Sequence, residues 1–188
     1  MPRLINHSIK LENMAVGNNK NTDKKWLYSA SITDASKVVQ THTQSYQQIA
    51  DIVKKEKCKG KTQFSNEKAI YLELVELELA KGKRATCPIV DFTFGIKCDN
   101  SKKYRLIEAK FDVDDLKNID VKNIRDKVVH SKDVMREDGL PVENGAVVLI
   151  NKSKIVEQQK NWFSRRLQPF GNYQIMTIDD LYTHYFVS

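Results

Sequence analysis

Cysteine, glycine, proline and long apolar runs are all scarce in this chain. Its three cysteines, Cys58, Cys87 and Cys98, are an odd number without CxxC spacing, which argues against a disulfide framework and against a zinc cluster, and leaves them as thiols. Only 7 glycines and 4 prolines occur in 188 residues, with no internal repeat or low-complexity tract. That is the composition of a soluble globular protein. No apolar run approaches the roughly 20 residues needed to span a bilayer, and Met1 to Ser8 lack the apolar core of a signal segment. The expectation is an intracellular, cytoplasmic protein without a membrane partner.

Several chemistries lack their residues. His7, His42, His130 and His184 are scattered without HExxH or other paired-ligand spacing, so each reads as a surface or core residue before a zinc ligand. There is no GxSxG elbow and no GxGxxG turn. Gly60-Lys61-Thr62 matches the end of a phosphate-loop pattern, but Lys55 stands where the first glycine belongs.

What the chain has is charge and a core. It is 40% hydrophobic and 29% charged with a net charge of +7, and a pI near 9.2 suits a polyanionic partner. A chain of this length fits one domain and buries about two-thirds of its unfolded surface. The pattern divides it into an N-terminal extension, 1–63, of strands plus a helix packed on a core, 64–188.

In the extension, Leu4–Leu11 and Lys25–Ile32 alternate as strands around a polar loop at 17–23. Thr33 or Asp34 is positioned to cap a helix reaching about Lys57. A second helix is predicted from Glu67 to about Lys81, ended by Gly82. Leu72, Ala69, Ala80, Leu77, Ile70 and Leu74 fill its apolar arc, and Glu73 and Glu76 fall inside that arc. A carboxylate on a buried face is costly unless it is paired or binds a metal; the alternative is a helix-edge position, or pairing with Lys83 or Arg84. Further on, Val121–Glu137 reads as a helix, Gly145–Ile150 as a strand covered on both faces, Ile155–Leu167 as a basic helix, Tyr173–Ile178 as a strand and Asp179–Phe186 as a closing helix. In the basic helix and its approach, Lys152, Lys154, Lys160, Arg165 and Arg166 suit phosphate contacts and Trp162 suits base stacking. The same segment also reads as an amphipathic helix with Trp162 and Phe163 in the core and a solvated basic face.

The densest chemistry lies on two strand-like stretches. In the first, Ile89, Asp91 and Thr93 share one face; in the second, Glu108 and Lys110 share one face while Ile107, Ala109 and Phe111 form the other. If Asp99-Asn100 is the tip of a connecting hairpin, opposed residues sum to 199, and Asp91 faces Glu108. Like charges directly opposed are destabilising, and a divalent cation shared by both carboxylates relieves that, since Mg²⁺ prefers one or two carboxylates plus waters and phosphate oxygens. The bland reading is a cross-strand ion pair between Asp91 and Lys110.

Pro88-Ile89-Val90-Asp91 followed by Glu108-Ala109-Lys110 resembles the motif of the PD-(D/E)XK nuclease superfamily, with the aspartate later than in the short form of the motif. The resemblance spans roughly 64–186. It implies a restriction-endonuclease-like α/β core, a central mixed β-sheet flanked by helices on both faces. It further implies Mg²⁺ or Mn²⁺ held by Asp91 and Glu108, with the Ala109 carbonyl as a further ligand and Glu73 or Glu76 as the helix glutamate. Lys110 would orient water or stabilise developing charge. The implied activity is DNA endonuclease cleavage in restriction, phage defence or mobile-element processing, as a homodimer or in a larger complex. RNA cleavage, or a non-catalytic nucleic-acid-binding or assembly role on the same fold, are the alternatives.

Overall fold

The chain folds as an α/β protein around one seven-stranded mixed sheet, seen in a computed structural model that describes residues 25–82, 85–151 and 156–187. The strand expected at Leu4–Leu11 and the loop at 17–23 lie outside the described residues, as do Lys83, Arg84, Lys152 and Lys154. Among the described residues, no helix is long and apolar enough to cross a membrane.

The strands are β1 (Leu27–Tyr28), β2 (Tyr46–Gln48), β3 (Lys68–Tyr71), β4 (Phe92–Cys98), β5 (Ser101–Lys110), β6 (Val142–Ile150) and β7 (Gln174–Met176). They run in the order β2-β3-β4-β5-β6-β7, with β1 pairing β4 beyond the end of β3. Pairings up to β5 are antiparallel, whereas β5/β6 and β6/β7 are parallel and reached through helices, as parallel neighbours require. The helices are α1 (Ala30–Asp34), α2 (Lys37–Thr41), α3 (Ile49–Lys55), α4 (Leu72–Ala80), α5 (Val121–Val134), α6 (Glu157–Leu167) and α7 (Ile178–Tyr185).

Side-chain alternation sorts these helices into two layers. Phe92, Phe94, Ile107, Ala109, Val147 and Leu149 face α3 and α7 through Ile49, Ile52, Val53, Leu181 and Tyr185. The opposite face carries Leu106, Ala146, Val148 and Ile150 against α1, α2, α4, α5 and α6. Asp91, Thr93, Glu108 and Lys110 alternate onto this second face, beneath α4 and α5.

The β4–β5 hairpin has the expected register. Phe92 pairs with Ile107 and Cys98 with Ser101, around a turn at Asp99-Asn100 in which Asp99 takes φ 51. Continuing the ladder one step sets Asp91 opposite Glu108.

Two helix expectations are corrected. The helix expected from 33 to 57 is broken into α1, α2, a 3-10 turn at Thr43–Ser45, β2 and α3. Asp138, far along the chain, supplies the break: its carboxylate accepts from Ser36 Oγ at 2.7 Å and from the Lys37 N–H at 2.7 Å, starting a new helix there. The helix expected from Glu67 starts only at Leu72. Residues 68–71 are instead a central strand, Ile70 pairing with Tyr46 on one side and Thr93 on the other. The part read as an extension thus joins the sheet twice, through β1 and β2.

Candidate functional site

The site begins at the junction of β3 and α4. The Leu72 N–H donates to the Asp91 carbonyl at 2.8 Å, so the helix starts on the aspartate's own backbone and Glu73 follows at once. On the other flank, the Val90 N–H donates to Ser131 Oγ at 3.1 Å, and Ser131 Oγ donates to the Lys127 carbonyl at 2.7 Å. Ser131 is fully buried and fixes α5 against the segment leading into β4, which carries Asp91.

Asp91 and Glu108 are 3% and 0% exposed. The Ala109 N–H donates to Asp91 Oδ2 at 2.5 Å. Glu108 Oε1 accepts from Lys110 Nζ at 2.5 Å and from Lys127 Nζ at 2.8 Å, and Lys127 Nζ lies 3.9 Å from Asp91 Oδ1. The second Glu108 oxygen, Oε2, is buried and accepts no hydrogen bond from any described residue. A buried acceptor left unsatisfied costs about 1–3 kcal/mol, more for a charged group.

The sequence-predicted Glu73 lies here; so does a residue that sequence reasoning missed. Glu56, just beyond α3, joins Glu73 and Asp91 in a group whose ligand oxygens all lie within 4.8 Å of one another. The Tyr71 hydroxyl sits 2.8 Å from Glu56 Oε1 and 2.9 Å from Glu73 Oε2. One hydroxyl proton cannot serve two carboxylates fully, so this corner is short of positive charge or protons. Glu56 lies in the run Lys54-Lys55-Glu56-Lys57, where nothing local distinguishes it. Lys127, also missed, did carry a weak signal: it stands one turn from Ile124 and one turn from Ser131, at the edge of the buried stripe of α5, where a half-buried lysine needs a partner.

The electrostatics record the crowding. Burial, then the charges of Glu108 and Glu56, push the Asp91 carboxyl well above its ordinary range, against the opposing pull of Lys127 and the Ala109 N–H. Burial also raises the Glu56 carboxyl, with Glu73 and Glu108 adding to it and the Tyr71 hydroxyl opposing. For Lys127, burial lowers its affinity for the proton, but Glu108 and Asp91 more than reverse this and hold the ammonium above its usual value. A hard divalent cation fits the all-oxygen set of Glu56, Glu73 and Asp91; Glu108 is not one of that group, and its described contacts are with Lys110 and Lys127.

Glu76 is placed elsewhere. It is 2% exposed, as a buried-arc glutamate should be, but its oxygens meet His130 Nε2 at 2.7 Å and the Cys87 N–H at 2.6 Å. A cavity of about 280 Å³ lies between the two groups, lined among others by Glu73, Glu76, Cys87, Pro88 and Lys127. For Ala109, the described contact with the site is its N–H.

The basic helix is not joined to this cluster by any described contact. Lys160 pairs with Glu157 at 3.5 Å, and Arg165 and Arg166 are exposed. Phe163 is buried as expected of a core residue, but Trp162 is 38% exposed, its ring 4.8 Å beneath the Arg166 guanidinium. It lies one position too far round the helix to share the stripe formed by Phe163 and Leu167.

No family model matches the chain, and no curated protein or solved structure is significantly similar to it.

Proposed function

We propose that the chain is a metal-dependent nuclease with a restriction-endonuclease-like core, hydrolysing DNA phosphodiesters with Mg²⁺ or Mn²⁺. One observation carries this reading: buried Asp91 joins Glu56 and Glu73 in a group of carboxylate oxygens within 4.8 Å of one another, an arrangement that is costly without a cation and useful with one. Asp91, Glu108, Glu73 and Glu56 are the residues that would hold the ion. When bound, the ion supplies neutralisation of phosphate charge and a lowered pKa for coordinated water. Lys110, anchored on Glu108, orients the attacking water or steadies the charge that develops as its oxygen adds to phosphorus and the leaving oxygen departs. The net charge of +7 favours a polyanionic substrate.

Lys127 favours a second reading. Its ammonium contacts Glu108 and approaches Asp91, so it compensates the carboxylates without a metal, as suits a nucleic-acid-binding or assembly protein that keeps the fold. A panel of linear, circular, single-stranded and structured DNA, with matched RNA, tested with Mg²⁺ or Mn²⁺, separates the two. The nuclease reading expects metal-dependent cleavage that Lys110→Ala and Glu108→Gln abolish. If neither ion binds and no substrate is cut, the second reading stands; cleavage that survives in both variants means a contaminant or another site.

A further inference from the structure

The group that takes Glu76 away from Asp91 has its own chemistry. Glu76 from α4, His130 from α5 and Cys87 from the segment leading into β4 bring a carboxylate oxygen, an imidazole nitrogen and a thiol sulfur within 4.8 Å of one another. From this geometry we propose a binding site for a zinc-class divalent ion, held by Glu76, Cys87 and His130. It is independent of the nuclease reading, since none of the three belongs to the Asp91 group.

The donor types decide the class of ion. Thiolate and imidazole suit zinc and its borderline neighbours, whereas Mg²⁺ takes hard oxygens. Three protein ligands with a fourth position open to water or substrate is the arrangement of a reactive zinc site, and the cavity lined by Glu76 and Cys87 provides room for the fourth. Glu76 already has a supporting contact, because the Cys87 N–H donates to its Oε1 at 2.6 Å; such an outer hydrogen bond orients a ligating carboxylate. His130 Nε2 lies 2.7 Å from Glu76 Oε2. Tetrahedral bonds of about 2.0–2.1 Å place two such ligand atoms about 3.3 Å apart, so loading needs only a small separation of the pair. Binding converts the Cys87 thiol to thiolate, its proton going to solvent, and replaces the His130–Glu76 hydrogen bond by two metal bonds, the Nε2 proton leaving to solvent while Nδ1 keeps or takes up the ring's remaining proton.

The location gives the site a structural effect. Glu73 and Glu76 are one turn apart on α4, as Lys127 and His130 are on α5. An ion here ties these two helices to the strand approach one turn from the Asp91 group.

Co²⁺ titration of the 188-residue chain is the test. One equivalent should give tetrahedral visible bands and a thiolate-to-cobalt charge-transfer band, both removed by Zn²⁺ and unaffected by excess Mg²⁺. Cys87→Ser should abolish the charge-transfer band, and His130→Ala should weaken Zn²⁺ binding by more than about 100-fold, beyond what loss of an outer-shell partner causes. Asp91→Asn should leave the bands in place whether or not the protein is a nuclease. In the unaltered chain, one equivalent of Zn²⁺ should slow alkylation of Cys87 at least tenfold relative to Cys58. Absence of a charge-transfer band, its survival in Cys87→Ser, or unchanged Cys87 alkylation overturns the proposal.

Discussion

Lys127 Nζ donates to Glu108 Oε1 across 2.8 Å, from a helix to the sheet beneath it. Glu108 is fully buried and the lysine side chain only 15% exposed, so this is an interior ion pair. Removing Lys127 leaves Lys110 alone to compensate Glu108 and takes away the charge that opposes the burial of Asp91. Lys127→Ala should therefore lower metal-free stability by about 3 kcal/mol, read from urea denaturation. Under the nuclease reading, millimolar Mn²⁺ recovers part of that loss as a rise in Tm; an unchanged Tm favours the metal-independent reading.

Asp91 gives the opposite sign. Its folded-state pKa is raised above the ordinary 3.8, first by burial and then by Glu108 and Glu56, so the native state holds this proton more tightly than the unfolded chain. By linkage, the metal-free protein loses stability as pH rises from about 3.8 through the raised folded value. Asp91→Asn should flatten that decline and stabilise the metal-free protein near neutrality by on the order of 1 kcal/mol. It should also weaken Mn²⁺ binding, which in the parent chain strengthens over the same rise in pH. Denaturation series at several pH values, with and without metal, check both signs.

Tyr71 stands between Glu56 and Glu73. Tyr71→Phe keeps the ring in the core but removes the hydroxyl that orients both carboxylates, at a cost of about 1 kcal/mol in stability. Metal affinity should fall roughly 10–100-fold, the usual penalty for losing an outer-shell partner. Calorimetric titration of the variant with Mn²⁺ measures this, and unchanged affinity would remove Glu56 and Glu73 from the ligand set.

The parallel end of the sheet has its own weak point. Gly145 takes φ 136, and a Cβ there would stand 2.4 Å from the Asn172 backbone oxygen, at the register shift between β5 and β6. Gly145→Ala should cost more than about 3 kcal/mol, from strain plus collision with backbone. Gly139→Ala, at φ 72 in open space, should cost about 1 kcal/mol. Thermal denaturation of the two variants makes the comparison.

The legible parts of this fold are those written in local periodicity. The hairpin register follows from a two-residue turn, and α5, β6, α6 and α7 follow from apolar spacing that the core uses. Residues 33–57 were illegible as broken structure because the break comes from Asp138, a hundred positions away. Residues 68–71 read as helix because Ala69 and Ile70 fit a helical arc as well as a strand; neighbours on both sides decide in favour of the strand. At the candidate site, strand alternation placed Asp91, Glu108 and Lys110 on one face, and a helix arc brought in Glu73. Glu56 has no local pattern to betray it, and Glu76 obeys the same arc as Glu73 but turns toward His130, a partner visible only in three dimensions.

Glu56 reaches the Asp91 group from a stretch that precedes β3. A fragment begun at Phe64 would retain the Pro88–Asp91 and Glu108–Lys110 motif yet be a different molecule. It would lack one carboxylate of the group, the second acceptor of the Tyr71 hydroxyl, and the strands that border β3 and the far end of β4. Motif and site are therefore not the same module, and the smallest portable unit of this chemistry begins upstream of the residues that announce it.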